Sequence, residues 1–437
     1  MVTYSPQVIM THKTTLENGI RVVTEKIPCA RSVAIGIIFD AGPRNETLQQ
    51  CGLAHLCEHV MFQGTSSRDA MQIARLMDVG GGSMGAFTTR DYTCYYATVL
   101  DDYVTYALDL FGDVLLNSIF PEESLAHEKE AILSEIAGSN DLPSERVNNL
   151  LKSFVWPQAA LGRPITGSPE TICSLTREDV IYFVHTGYLP DRMIVAAAGN
   201  VDHEDFVAQV RDAFWRMLGH SHPLPIEPPV YQSGAVLENA PVSQAYFSLG
   251  VRAYPYVHPR RYGLHVLNNI LGGGISSRLF RRIREERGLV YNIGSEYHAY
   301  REDGLWVIEG STAAEYLLPV LGSTLVEIWK LIGADDAITD EELWRAKQQM
   351  RGQHLISGEN THTVMSRLAT QEFYFGHTIS SDEILAAIEA VSLESLQQIS
   401  LEDFLEPLRQ ATLAVVGPEM PQAYNLALLQ EMLADFR

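Results

Sequence analysis

The chain has 437 residues, more than one ordinary hydrophobic core accommodates and suited to two or three domains. Apolar residues make up 46% and charged residues 20%, the balance of a soluble globular protein, and no apolar run approaches the ~18 residues of a membrane span. Fifty-four acidic against 32 basic side chains leave a net charge of −22, which repels phosphate backbones, so no nucleic-acid partner is expected, and which either attracts basic peptides or serves solubility alone.

The first residues, MVTYSPQVIMTHKTTLENG, have no basic region followed by an apolar stretch and are not Arg-rich, unlike a secretory signal or a transit peptide. The five cysteines, Cys29, Cys51, Cys57, Cys94 and Cys173, are odd in number and scattered, which points to a reducing interior. The expected location is cytoplasmic, with no membrane partner.

The first strong element is an apolar strand at 32–44, followed by helices over 51–62 and 69–80. Strands follow at 86–100, then amphipathic helices over 101–118 and 120–136, and an apolar strand, 193–199, that stops at Gly199. Segment 219–234, rich in Pro and His and without periodicity, reads as a linker. Beyond it the same order returns: strand 244–255, helices 258–271 and 276–288, strands 291–312, helices 313–333 and 338–354, and strand 412–417, again stopping at Gly. This ordered agreement indicates an internal duplication of one domain of about 210 residues. The expected fold is α+β: two homologous domains, each a mainly antiparallel sheet covered on one face by helices, divided as 1–218, linker 219–234 and 235–437.

Residues 55 to 59 read His-Leu-Cys-Glu-His. On a helix His55 and His59 are i and i+4 and share a face, with Glu58 one turn from His55 on the same side. Two imidazoles there can clamp one metal ion beside a carboxylate, and H-x-x-E-H is the inverted form of the H-E-x-x-H zinc-peptidase motif. Two solvated histidines beside an ordinary carboxylate would give the same string. The second repeat reads HPRRYGLHVLNNIL at this place and lacks the motif, so the fold does not require it. Cys57 faces away from the pair, as a small buried side chain. Catalytic zinc takes three protein ligands and leaves a fourth position open. Helix 122–137 offers Glu128 and Glu135, which are i and i+7 and lie on one face. The triple glycine Gly272, Gly273 and Gly274 either lets a substrate backbone approach closely or makes a turn.

At these residues the chain resembles the inverted-zincin metallopeptidases of the pitrilysin and mitochondrial processing peptidase family. The resemblance spans nearly the whole chain: TTLENGIRVV, GLAHLCEHVMFQGT, EKEAILSEI, LGRPITG at 161–167 and GGGISSRLFRRIREERGLVYNIG at 272–294. It implies a third ligand about 76 positions after the second His, which Glu135 satisfies (135 − 59 = 76). It implies one Zn²⁺ per chain held by His55, His59 and Glu135, with Glu58 as general base toward a zinc-activated water. It matches Glu128 to a further Glu implicated in catalysis. It matches Arg284 and Tyr291 to a pair that binds substrate near the scissile bond, where a fixed cation and a phenol suit an oxyanion. It implies a peptide added as a strand along 85–91, against Gly85, Ala86, Phe87 and Thr88. The family commonly has Asn where this chain has Gly85, which puts peptide positioning or rate in doubt and leaves the metal site untouched.

The activity implied is a zinc endopeptidase hydrolysing short or unfolded peptides within a dimeric chamber, with presequence processing and general peptide clearing not separated. With both residue sets in one chain a homodimer is favoured, and a heterodimer with a paralogue stays open. The alternative is a peptide-binding or core-like subunit with little or no catalytic activity.

Overall fold

In the computed structural model, which describes residues 11–79, 81–221, 229–332, 337–419 and 425–435, the strands divide between two sheets. The first comprises β1 (Thr11–Thr15), β2 (Arg21–Lys26), β3 (Ser32–Phe39), β4 (Ser83–Thr88), β5 (Thr93–Leu100) and β6 (Met193–Gly199), in the order β1-β2-β6-β3-β5-β4. The second comprises β7 (Gly234–Asn239), β8 (Ala245–Ala253), β9 (Asn292–Ala299), β10 (Gly304–Thr312) and β11 (Thr412–Gly417), in the order β7-β11-β8-β10-β9. The orders coincide when β2, β6, β3, β5 and β4 are matched to β7, β11, β8, β10 and β9. Each sheet has one parallel pair, β2 with β6 and β7 with β11, and its other pairs are antiparallel. The fold is thus α+β in two homologous domains.

Both central strands are long apolar runs, and each sheet shows why. The odd residues of β3, Val33, Ile35, Ile37 and Phe39, join a core with the histidine helix Leu53–Val60 and helix Val104–Asn117. Ala34 and Ile38 face the other way, into a second cluster with Val364, Met365, Leu368, Ala369 and Phe373. Those five residues belong to helix Thr361–Phe375, far along the chain. The second sheet repeats the arrangement. Phe247, Leu249 and Val251 of β8 face its main core, while Leu305, Val307, Ala414 and Val416 face Val147, Leu151 and Val155 of helix Pro143–Val155. The second face of each sheet is therefore covered too, and strands buried on both faces lose the period-two polar alternation of a half-exposed sheet.

A glycine in each central strand admits the helix on that face. A Cβ at Gly36 would lie 2.2 Å from Met365 Sδ, and one at Gly250 3.2 Å from Leu151 Cδ2. Full burial of Val364, Met365, Leu368 and Phe373 is worth about 1.5–3 kcal/mol apiece. Ion pairs fix the register: Glu372, fully buried, meets Lys13 at 2.9 Å and Arg21 at 3.1 Å, and Arg367 meets Glu25 at 3.1 Å. In the second sheet Asn148 accepts from Ser248 Oγ at 2.8 Å and donates to Glu309 at 2.7 Å.

The compact units therefore do not follow the two halves of the chain. One consists of Met1–Ile136, Ile165–Pro225 and His354–Ser380, the other of Ala137–Pro164, Ile226–Gln353 and Ser381–Arg437. The expected linker, 219–234, lies partly outside the described residues, at 222–228. The helix expected over 276–288 contains a π-helical stretch, Phe280–Glu285. Among the described residues no single helix is long and apolar enough to cross a membrane.

Candidate metal centre

Helix Leu53–Val60 buries Leu53, Leu56, Cys57 and Val60, an i, i+3, i+4, i+7 stripe, in the core of the first unit. That stripe turns His55, Glu58 and His59 the other way. Cys57 is fully buried on the core side, and burial pushes its thiol well up. The helix starts at Gly52, which has no side chain to cap it. Glu46 does so instead: its buried carboxylate accepts from the Gly52 amide at 3.0 Å and the Ala54 amide at 2.7 Å.

The second helix of the site, Glu122–Asp141, is anchored by Leu125, Ile132 and Ile136. It brings Glu135 Oε2 to 3.7 Å from His55 Nε2 and 3.8 Å from His59 Nε2. The two imidazole rings stand 4.6 Å apart at 69°. One donor atom from each of the three residues lies within 4.8 Å of the others. Donors each about 2.1 Å from one zinc ion at tetrahedral angles stand roughly 3.4 Å apart, so small side-chain adjustments suffice to seat the ion. Two imidazole nitrogens and a carboxylate oxygen are also a zinc donor set.

The surroundings prepare these donors. Glu128 Oε2 lies 2.9 Å from His59 Nδ1, and Gln63 donates to Glu128 Oε1 at 2.7 Å. An acceptor at Nδ1 fixes the tautomer that presents the Nε2 lone pair. Glu128 thus acts on His59. Burial, with a smaller contribution from His59, lowers the His55 pKa from 6.5 to about 4, so that ring is neutral at pH 7, as a metal ligand must be. Among the described residues its buried Nδ1 has no hydrogen-bond partner, and its Nε2 faces Glu135.

Glu58 is half-buried, and that burial raises its carboxyl pKa above the ordinary value. Glu135 pushes in the same direction, while a hydrogen bond from Thr88 and the nearby His59 oppose it. Thr88 Oγ1 donates to Glu58 Oε2 at 2.6 Å. A carboxyl so raised, with Thr88 on one oxygen, stands beside the His55, His59 and Glu135 cluster.

Gly85, Ala86, Phe87 and Thr88 all lie on β4, the edge strand of the first sheet. Arg284, Tyr291 and the triple glycine belong to the second unit. Arg284 sits in the π-helical stretch with its guanidinium carbon 4.6 Å from the Phe280 ring centre and 5.6 Å from that of Tyr291, which is 76% exposed. Gly272 ends helix Arg261–Gly272, where a Cβ would fall 2.4 Å from the Ser295 amide nitrogen, so its missing side chain serves a close approach to β9. Gly273 caps that helix.

Sequence reasoning missed Glu46 and the role of Thr88. The signal for Glu46 was a carboxylate a few residues upstream of a helix whose own cap residue is glycine. Nothing local marks Thr88, because its bond to Glu58 depends on how a strand and a helix pack.

Residues 21–169 match the family described as insulinase (peptidase family M16), and residues 174–350 match the peptidase M16 inactive domain. The uncharacterized zinc protease YmxG of Bacillus subtilis is 36% identical over 94% of this chain and 98% of its own length. The uncharacterized zinc protease SCO5738 of Streptomyces coelicolor is 37% identical over 93% of this chain and 89% of its own. Two solved structures share the fold. A peptidase M16 inactive domain from Pseudomonas fluorescens has a TM-score of 0.86 at 21% identity, covering 94% of this chain and 99% of that one. A protease from Helicobacter pylori has a TM-score of 0.85 at 18% identity, covering 94% of this chain and 100% of that one.

Proposed function

The chain belongs to peptidase family M16, the insulinase family, and on that premise we propose that it is a zinc endopeptidase that hydrolyses short or unfolded peptides. The observation that carries this reading is the convergence of His55 Nε2, His59 Nε2 and Glu135 Oε2 beside the half-buried carboxylate of Glu58. His55, His59 and Glu135 would hold one zinc ion, which when bound supplies Lewis acidity toward a peptide carbonyl and toward water.

The chain's own residues do the rest. Glu128, steadied by Gln63, orients the His59 ring. Thr88 occupies Glu58 Oε2, which leaves Oε1 to take a proton from the attacking water and pass it to the leaving amine. A substrate strand pairs with the free edge of β4, where backbone bonding gives affinity without a strict sequence demand. Arg284 and Tyr291 are assigned to the substrate, and the working assembly to a homodimer enclosing a chamber, in the cytoplasm. The motif's presence in full favours this over a non-catalytic peptide-binding or core-like subunit.

The test is a mixed peptide library incubated with wild type, Glu58→Gln and His59→Ala, with products read by mass spectrometry and zinc by elemental analysis. Wild type should yield products. Glu58→Gln should retain zinc and lose roughly 10²–10⁴-fold in rate, and His59→Ala should lose zinc as well. Normal cleavage by Glu58→Gln removes Glu58 from its role. No cleavage by zinc-loaded wild type moves the protein to the binding reading.

A further inference from the structure

Position 85 on the edge strand has no side chain, and another residue fills its place. Gly85 pairs with Tyr96 of β5. A Cβ built on Gly85 would lie 3.1 Å from Tyr96 Oη and 3.2 Å from Cζ, so the phenol end of the ring occupies the space a side chain at 85 would take. Two aromatic groups hold that ring. Phe87 lies 6.0 Å away, and His362 of helix Thr361–Phe375 packs edge-on at 5.1 Å and 80°. Among the described residues the Tyr96 hydroxyl has no hydrogen-bond partner, and the side chain is only partly buried. Phe87 and Tyr96 pack with the second-face cluster, whereas Met84 and Ala86 pack with the main core on the face of the histidine helix.

A peptide strand laid along β4 alternates its side chains between these two faces. A peptide residue beside Gly85 and facing the second cluster meets no side chain from position 85. It meets a phenol with a free hydroxyl, backed by Phe87 and His362. Aromatic rings in edge-on or offset contact attract one another beyond their area burial, and three rings already converge here. We infer that Tyr96 is a specificity-determining residue that reaches across Gly85 to contact the peptide side chain on that face and selects an aromatic one, its hydroxyl meeting a polar ring edge. The inference rests on the proposed pairing of substrate with β4.

The experiment takes one cleaved peptide and varies each position in turn to Phe, Tyr, Leu, Ala and Asp. Wild type, Tyr96→Phe and Tyr96→Leu are compared by kcat and KM, and peptide affinity is measured by fluorescence anisotropy in the Glu58→Gln background. One position should favour aromatic residues. Tyr96→Leu should weaken that preference about 2- to 10-fold, through KM and affinity, with kcat and zinc content held. Tyr96→Phe should keep the preference for Phe and lose the added gain for Tyr. Should Tyr96→Leu not fold, Tyr96→Phe decides by that last result alone. A profile unchanged in the folded variants overturns the inference and reduces Tyr96 to a cover for Gly85, while leaving the peptidase reading intact. Failure of wild type to cleave or bind any peptide overturns both.

Discussion

The same scaffold position does different work in the two repeats. After the long central strand of each sheet comes a helix: Leu53–Val60 in the first and Arg261–Gly272 in the second. In the first, His55, Glu58 and His59 turn toward Glu135 on helix Glu122–Asp141. In the second, Asn268 serves the structure: its side chain accepts from Trp306 Nε1 at 2.8 Å and its carbonyl from Ser295 Oγ at 3.2 Å. The partner helices differ likewise. Glu342, on helix Asp340–Ser357, takes both its oxygens to Arg278 at 2.8 Å, and Arg278 is 3% exposed. One repeat thus gathers two imidazole nitrogens and a carboxylate oxygen into a metal donor set, and the other pairs its carboxylate with an arginine. Each member of a buried ion pair becomes costly once the other is removed, whereas donor atoms that converge on one point suit a ligand.

The largest effect that would break this contrast lies in the second repeat. Removing one member of a buried ion pair strands the other, so Glu342→Ala should cost about 3–5 kcal/mol in urea unfolding and leave zinc content unchanged. Loss of zinc in that variant would show that the repeats are not separate in function. Burial alone would raise the Glu342 pKa, but Arg278 and the Thr339 amide overcome it and lower it to about 2 from 4.5. A depressed carboxylate pKa stabilises the fold above about pH 4.5, and that contribution is lost as pH falls toward 2. It amounts to about 3 kcal/mol, so the acid transition of Glu342→Gln should lack this step.

The first repeat should respond in the opposite sense. Glu128→Ala removes the partner that orients His59 and should weaken zinc binding about 10- to 100-fold, measured by competition with a chelating dye, with little change in the unfolding of the metal-free protein. A variant that kept zinc but lost stability would place Glu128 with Glu342 as a structural acid. The smallest effect sharpens the role of Glu58. Thr88 holds the Glu58 carboxyl down against burial, so Thr88→Val should move the acidic limb of the pH–rate profile to higher pH at unchanged zinc content. An acidic limb that stays in place would remove the proton-transfer role from the bonded carboxyl.

Much of this is legible in the order of the residues. The face that His55, Glu58 and His59 share follows from residue spacing, and the order of strands and helices exposes the duplication. Glu135 comes from the family resemblance, because helical spacing alone treats it and Glu128 alike. The structure separates them: one converges on the two Nε2 atoms, the other braces His59 from behind. The exchange of helices Pro143–Val155 and Thr361–Phe375 leaves no local trace beyond apolar runs in β3 and β8 and glycines at 36 and 250. Those features are also what an ordinary buried strand shows.

Helical and strand periodicity act over a few residues, so the chain alone determined that His55, Glu58 and His59 share a face and that two α+β repeats follow one another. Which carboxylate reaches which nitrogen, which hydroxyl restrains Glu58 and which ring overlies Gly85 depend on approaches of a few ångströms between segments distant in sequence. Packing of sheets and helices sets those approaches, and only the tertiary structure decided them.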